Sequence, residues 1–425
     1  MHVELSKEEL IYCAPINEKT SRWGVYCIPK LWRMPDGRIA IVINGESDSP
    51  DAHENICPDL YYISGDNGKS WKASSNTEID KNAYSGVDSP YRKLSCGKII
   101  SIQEKSNLQS FSASKWEKEF YTADKLGICR TFLQASIDED VFLSELHTFD
   151  ADGNFLSVEP VKIDFPDREL IVQTQMWDDT CYIDIPARFR STLVCNPYIS
   201  SITELSDGTL VGTCSGQCPQ ITDRYCAEVY LMESSDGGKN WKKRATVTKN
   251  SHLYAFGLLG DGGECSLTQS ENGDLFLLTR TDMSNDHPSI GGGSDAYLFV
   301  SNDNGYTWSN ERSASDSSVT PHVLSLSGNI LVVIYGRPGV HMKISTDGGQ
   351  TFGDSISIIG KTLEEELAEG KTYMEAKYFD MRSYSNSFIE KISDNSFIIV
   401  YTDMKYDPGD GKFHKATLVR TITIK

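Results

Sequence analysis

The chain has 425 residues, 39% of them hydrophobic and 24% charged, with 33 Gly and 15 Pro; this composition excludes a disordered polymer and a collagen-like one. Its 41 Lys and Arg stand against 60 Asp and Glu, and a net charge of -19 disfavours nucleic acid and anionic membrane as partners. No apolar run approaches the roughly 18–20 residues of a membrane span. The first residues, MHVELSKEELIY, lack the basic-then-apolar order of a secretory signal, so the cytoplasm is the expected compartment.

Two patterns alternate along the chain. The first is a pair of short apolar runs around a turn: MPDGRIAIVI, LSCGKIISI, LSDGTLVGT, SENGDLFLL, LSGNILVVI and ISDNSFIIV, with turns at Gly37, Gly97, Gly208, Gly273, Gly328 and Asn395. The second is Ser-x-Asp-x-Gly-x-x-aromatic, at Ser64–Trp71, Ser234–Trp241, Ser301–Trp308 and Ser345–Phe352, each after an apolar strand. Asp folds its carboxylate onto backbone N–H groups, Gly supplies positive φ, and the aromatic packs under the turn. Hairpin plus aspartate turn makes a unit of about four strands, one propeller blade. Six hairpins therefore predict an all-β, six-bladed β-propeller over residues 1–425 as a single domain. The stretch 103–195 is longer than a blade and reads as a long or degenerate second unit with an insertion. Residues 361–378 (KTLEEELAEGKTYMEAKY) read as a helical insertion, and ATLVRTITIK as the strand that completes the ring against the N-terminal unit.

Eleven cysteines, an odd number without a signal peptide, read as reduced thiols. Cys214, Cys218 and Cys226 form the one tight group, and it lacks a fourth ligand at comparable spacing. No metal, cofactor or disulfide is expected.

The four aspartate turns match the Asp-box, or BNR, repeat, and six such units resemble the sialidase (neuraminidase) superfamily over nearly the whole chain. In that family Asp-boxes lie on the rim, so function rests on residues that line the axis. The resemblance implies a retaining exo-glycosidase acting on a glycan or small glycoside, acidic in character. Glu264, in GGECSLTQSENGDLFLLTR, and Arg280, sixteen residues on, match the family's Glu and substrate-clamping Arg around the same hairpin. Arg337, in IYGRPGVHMKIS, matches an Arg of the carboxylate-binding triad. Tyr384, in SYSNSFIEKISDNSFIIVY, matches the nucleophile. A phenol titrates near 10, so it needs a base, and Glu264 would serve within hydrogen-bond reach. The loop GESDSPDAHENICPD offers Asp48, Asp51, His53 and Glu54; Asp51 is the expected general acid, with Asp48 and Glu54 open. Asp88, in VDSP, matches a substrate-contacting Asp-Pro position.

Three positions depart from the family pattern. Cys27 stands where the first triad Arg belongs, Glu46 replaces a neighbouring Arg, and Thr402 replaces the Glu that props the first Arg. That corner of the pocket is rebuilt, which leaves the sugar and linkage open. A glycosidase for another sugar and a non-catalytic glycan- or protein-binding propeller are the alternatives.

Overall fold

The structure, a computed structural model, describes residues 1–47, 56–79, 88–106, 120–124, 127–133, 142–164, 169–174, 199–217, 227–248, 264–280, 295–372, 375–376 and 380–425. After β1 (Val3–Leu5) and β2 (Glu9–Cys13), the first unit is a four-stranded antiparallel meander of β3 (Pro29–Arg33), β4 (Ile39–Ile43), β5 (Leu60–Ser64) and β6 (Lys72–Ala73). The second unit opens with β7 (Arg92–Lys93) and β8 (Ile99–Ser106). The hairpin β9 (Phe120–Asp124) and β10 (Gly127–Leu133) then intervenes before β11 (Phe142–Phe149) and β12 (Phe155–Asp164) resume it. Because Ser106 pairs with Phe142 and Ile99 with Phe149, the unit closes across its own insertion. The inserted hairpin joins β13 (Glu169–Thr174) in a separate three-stranded sheet.

The third unit contains β14 (Ser200–Glu204), β15 (Leu210–Gln217), β16 (Ala227–Ser234) and β17 (Asn240–Thr246). Its last strand pairs in parallel with β12, Lys162 opposite Asn240, which fuses units two and three into one eight-stranded sheet. Units four and five are simple meanders. The fourth runs β18 (Cys265–Gln269), β19 (Leu275–Thr279), β20 (Tyr297–Ser301) and β21 (Arg312–Ser313); the fifth runs β22 (Val319–Leu326), β23 (Ile330–Gly336), β24 (Val340–Ser345) and β25 (Ile356–Ile359). A short helix, α1 (Leu363–Ala368), follows, started by a Thr362–Glu365 capping box. Gly370, at φ +88°, lies just beyond its end. The sixth unit has β26 (Phe388–Ser393), β27 (Ser396–Tyr406) and β28 (His414–Ile424), and both β1 and β2 pair with β28. The last sheet thus joins the two ends of the chain. Among the described residues α1 is the one α-helix, and the fold is all-β.

The core lies between units rather than inside them. The second strands IAIVI, LFLLT and the buried run of ILVVIYG are continuous apolar segments because both of their faces are covered. One apolar cluster combines Leu31 and Ile41 of unit one with Phe388, Ile398 and Val400 of unit six. Others combine units two and three, three and four, four and five, and five and six. The first strands follow the same order: β14 contacts β18, β18 contacts β22, β22 contacts β26, and β26 contacts β3. These units stand around a common axis.

The aspartate turns fasten each unit to the one before it. In the turn at Asp303, Ser301 Oγ donates to the carboxylate at 2.8 Å and accepts Gly305 N–H at 2.8 Å, while Thr307 N–H and Oγ1–H reach the same carboxylate at 2.9 and 2.6 Å. Asp66, Asp236 and Asp347 are held the same way. A side chain on the glycine would crowd the neighbouring unit. A Cβ on Gly305 would lie 2.2 Å from Leu231 of the preceding unit, and on Gly349 2.7 Å from Leu298. On Gly68 it would lie 2.3 Å from Ile398, so the first unit's turn sits on the sixth unit.

Candidate active site

The sixteen-residue spacing of Glu264 and Arg280 is a consequence of hairpin register. Cys265 pairs with Thr279, so the residues just outside the pair face each other, and Arg280 N–H donates to the Glu264 carbonyl at 2.9 Å. Their side chains complete the pair with Arg280 Nη1 2.6 Å from Glu264 Oε1, the two side chains 11% and 17% exposed. The second carboxylate oxygen accepts Thr320 N–H at 2.7 Å. Thr320 holds φ +46°, a left-handed conformation costly for a β-branched residue. Glu264 is thereby fixed by a guanidinium from its own hairpin and a backbone donor from the next unit.

Arg337 follows the second strand of unit five, and its N–H donates to Ser317 Oγ at 2.9 Å. Its Nε and Nη2 donate to the Tyr384 carbonyl at 3.1 and 2.8 Å. The guanidinium carbon lies 4.7 Å from the centre of the Tyr384 ring and 5.8 Å from that of Trp23, within cation–π range. Trp23 and Tyr384 are themselves 4.8 Å apart, and Cys27 and Met381 pack against the phenol. Tyr384 is 2% exposed. The segment 317–320 links the two clusters, with Ser317 on Arg337 and Thr320 on Glu264. All four residues stand where a first strand begins or a second strand ends, so they share one edge of the ring.

Among the bonds of the described residues, Glu264 is held by Arg280 and Thr320, and Tyr384 by Arg337. The loops holding Asp48, Asp51, His53 and Glu54 fall outside the described residues, as do 249–263 and 281–294, which flank Glu264 and Arg280. Cys27 is fully buried and Thr402 is 1% exposed; the threonine hydroxyl donates to the Cys27 carbonyl at 3.0 Å. Glu46 is half-buried beside Ser47, whose hydroxyl donates to the Trp23 carbonyl at 2.9 Å. Next to Thr402, Asp403 pairs with Arg382 at 2.5 Å, and burial pushes its carboxyl above the ordinary value.

Asp88 occupies a different place. Its carboxylate accepts the Ser201 hydroxyl at 2.5 Å, the Ser266 hydroxyl at 2.7 Å and Leu267 N–H at 3.0 Å, and His322 Nδ1 lies 3.8 Å away. His322 in turn donates from Nε2 to the Ser387 carbonyl at 2.6 Å. Asp88 is thus tied to first strands of units three, four and five near the axis, and none of these partners belongs to the Glu264–Tyr384 edge. Sequence reasoning missed Trp23, Ser317, Thr320 and His322. Each acts through a partner more than nineteen residues distant or through a backbone N–H, and neither leaves a local motif. Among the described residues, no group of three His, Cys, Asp or Glu side chains is arranged to hold a metal ion.

Residues 195–377 match the family model described as a BNR repeat-like domain. No curated protein matches the chain. Among solved structures, the chain is similar to a protein of unknown function from Dyadobacter fermentans DSM 18053, at 15% identity and TM-score 0.56, with 100% of this chain and 99% of that one covered. It is also similar to the K499G mutant of NanB sialidase from Streptococcus pneumoniae (13% identity, TM-score 0.47, 98% and 70% covered). A third similar structure is the intramolecular trans-sialidase from Ruminococcus gnavus in complex with oseltamivir carboxylate (12%, TM-score 0.43, 96% and 96%).

Proposed function

We propose that this protein belongs to the BNR-repeat family and is a retaining exo-glycoside hydrolase of the sialidase type, acting in the cytoplasm on a glycan or small glycoside with an acidic sugar. The observation that carries the reading is one ring edge that joins a fixed carboxylate, Glu264 on Arg280, through 317–320 to a phenol beneath a guanidinium, Tyr384 under Arg337. Tyr384 attacks the anomeric carbon, Glu264 takes its proton, and Asp51 protonates the leaving oxygen; water then resolves the covalent intermediate with retention. A phenol nucleophile suits an anionic sugar, since a carboxylate would repel it. The charge of Arg337 over the ring favours negative charge developing on the phenolic oxygen. Arg280 and Arg337 supply the positive field for the acidic group.

The burial of Tyr384 and the engagement of two Arg337 donors by a backbone carbonyl favour a second reading, a glycan-binding propeller without turnover. Hydrolysis of a panel of fluorogenic glycosides, acidic and neutral, by the wild type and by Tyr384→Phe separates them. Turnover that collapses in the variant supports the hydrolase. Binding without turnover in both, or equal turnover in both, overturns it.

A further inference from the structure

A cavity opens at the other end of the first strands from the Glu264–Tyr384 edge. It has a volume of about 780 Å³, within the range of about 300–1,000 Å³ typical of small-molecule sites. Equivalent positions of four units line it, Ser201–Thr203, Leu267–Gln269, Val323–Ser325 and Ile389–Lys391, with the Pro35–Gly37 turn at its rim. Neither Glu264, Arg280, Arg337 nor Tyr384 takes part, and Asp88 lies in its wall.

The charges of this cavity are unequally satisfied. Glu390 is paired with Arg33 at 3.0 Å, Asp36 with Arg38 at 2.6 Å, and Asp88 accepts three hydrogen bonds. Arg92 and Lys93 also line it, and their side chains make no ion pair or hydrogen bond among the described residues. Among the described residues, Lys391 Nζ reaches the Ser325 carbonyl at 3.3 Å and Asp394 at 3.8 Å. Arg92 is open to solvent yet surrounded by protein, which disfavours its charge; Glu204 and Asp88 counter this from a distance. A guanidinium in such surroundings, with no carboxylate in contact, gains from a mobile anion what it lacks from its neighbours. Asp152, also in the wall, limits how much negative charge fits.

We infer that this axial cavity binds a small anion carrying carboxylate or phosphate groups, with Arg92 as the main receptor and Lys93 and Lys391 beside it. The site is independent of glycoside turnover. Titration calorimetry on the full chain, with inorganic phosphate in one arm and citrate in the other, tests it and tells phosphate from carboxylate. Wild type should bind at least one probe at millimolar concentration. Arg92→Gln should weaken binding about tenfold or more, the scale of one charge-assisted hydrogen bond, and leave glycoside turnover unchanged. Glu264→Gln should leave anion binding intact. No heat with either probe, equal affinity in Arg92→Gln, or loss of anion binding in Glu264→Gln each overturns the proposal. If Arg92→Gln does not fold, the double variant Lys93→Gln with Lys391→Gln takes its place, with the same readings.

Discussion

The aspartate turns and the Glu264–Tyr384 edge are built by opposite rules. The turns repeat one geometry four times: a serine, an aspartate and a glycine meet within eight residues and clamp onto a neighbouring leucine or isoleucine. The edge is assembled once, from residues as far apart as Trp23 and Tyr384, and no partner in it is repeated in another unit. The first arrangement specifies where units stand relative to each other. The second exists only because they stand there.

If that division holds, changes at the edge should alter chemistry and spare folding, while changes at the turns should do the reverse. The largest effect belongs to Tyr384→Phe: turnover on the glycoside that the wild type cleaves should fall on the order of 10⁴-fold or more. The thermal midpoint should scarcely move, because the ring still fills the space beneath Trp23 and Arg337. Near-normal turnover would remove the tyrosine from the mechanism. Glu264→Gln should cost about 10²–10⁴-fold, the span of a general base, with the loss concentrated in kcat.

A sharper probe sits at the rebuilt corner. Cys27→Arg places a guanidinium in a fully buried position, and an uncompensated buried charge should destabilise by about 3–5 kcal/mol. Thr402→Glu in the same chain should recover part of that, because the two residues are already in contact and contacting sites do not add. Strictly additive unfolding free energies would show that the two side chains do not meet. Simple sialosides should remain poor substrates for the wild type, which lacks this pair.

At the turns, Gly305→Ala should cost about 1–3 kcal/mol from the crowded Cβ together with the positive φ. Turnover per folded molecule should stay intact. Gly37→Ala has a similar φ but open space around it, so only the backbone strain, about 1–2 kcal/mol, should appear in denaturant titrations. Equal losses at both would mean that the contact between units contributes nothing.

The mildest effect is one of pH. Hydrogen bonds from Ser70 and Ser64 hold the Asp66 carboxyl down to about 2. Asp236 also lies at about 2: burial alone would raise it, but donors led by Asn240 outweigh that. A depressed carboxyl adds stability that is complete above its unfolded value near 3.9 and is lost as pH falls through the folded one. The acid limb should therefore steepen between about pH 4 and about pH 2, and Asp66→Asn should flatten it. An unchanged limb would take these turns out of the acid response.

The same division accounts for what could be read beforehand. Aspartate turns were legible because all the groups that satisfy Asp303 lie between Ser301 and Thr307. The placement of Glu264 and Arg280 on one hairpin was legible because a hairpin converts sequence distance into register; their ion pair was not. Ser317 and Thr320 were not, since a serine and a threonine between two strands look like any loop; only the positive φ of Thr320 marks the position, and φ is not written in side chains. Asp88 looked like a substrate contact from Asp-Ser-Pro alone, and its three hydrogen bonds come from residues more than a hundred positions away. The helix read over 361–378 has its α-helical turns in Leu363–Ala368, and a second capping pair, Thr372 with Glu375, begins after Gly370. Helix-forming composition does not show where a glycine and a new cap divide a segment.

The last sheet has a consequence for synthesis. β1 leaves the ribosome long before its partner β28, so Val3 waits for Ile424 before its backbone is paired. The first unit's apolar face waits too, since Phe388, Ile398 and Val400 cover it. For most of translation the nascent chain carries an unpaired strand edge and an uncovered face, the features that invite association between chains. Loss of β28 would therefore be felt at β1 and β2, which pair with it from the opposite end of the fold.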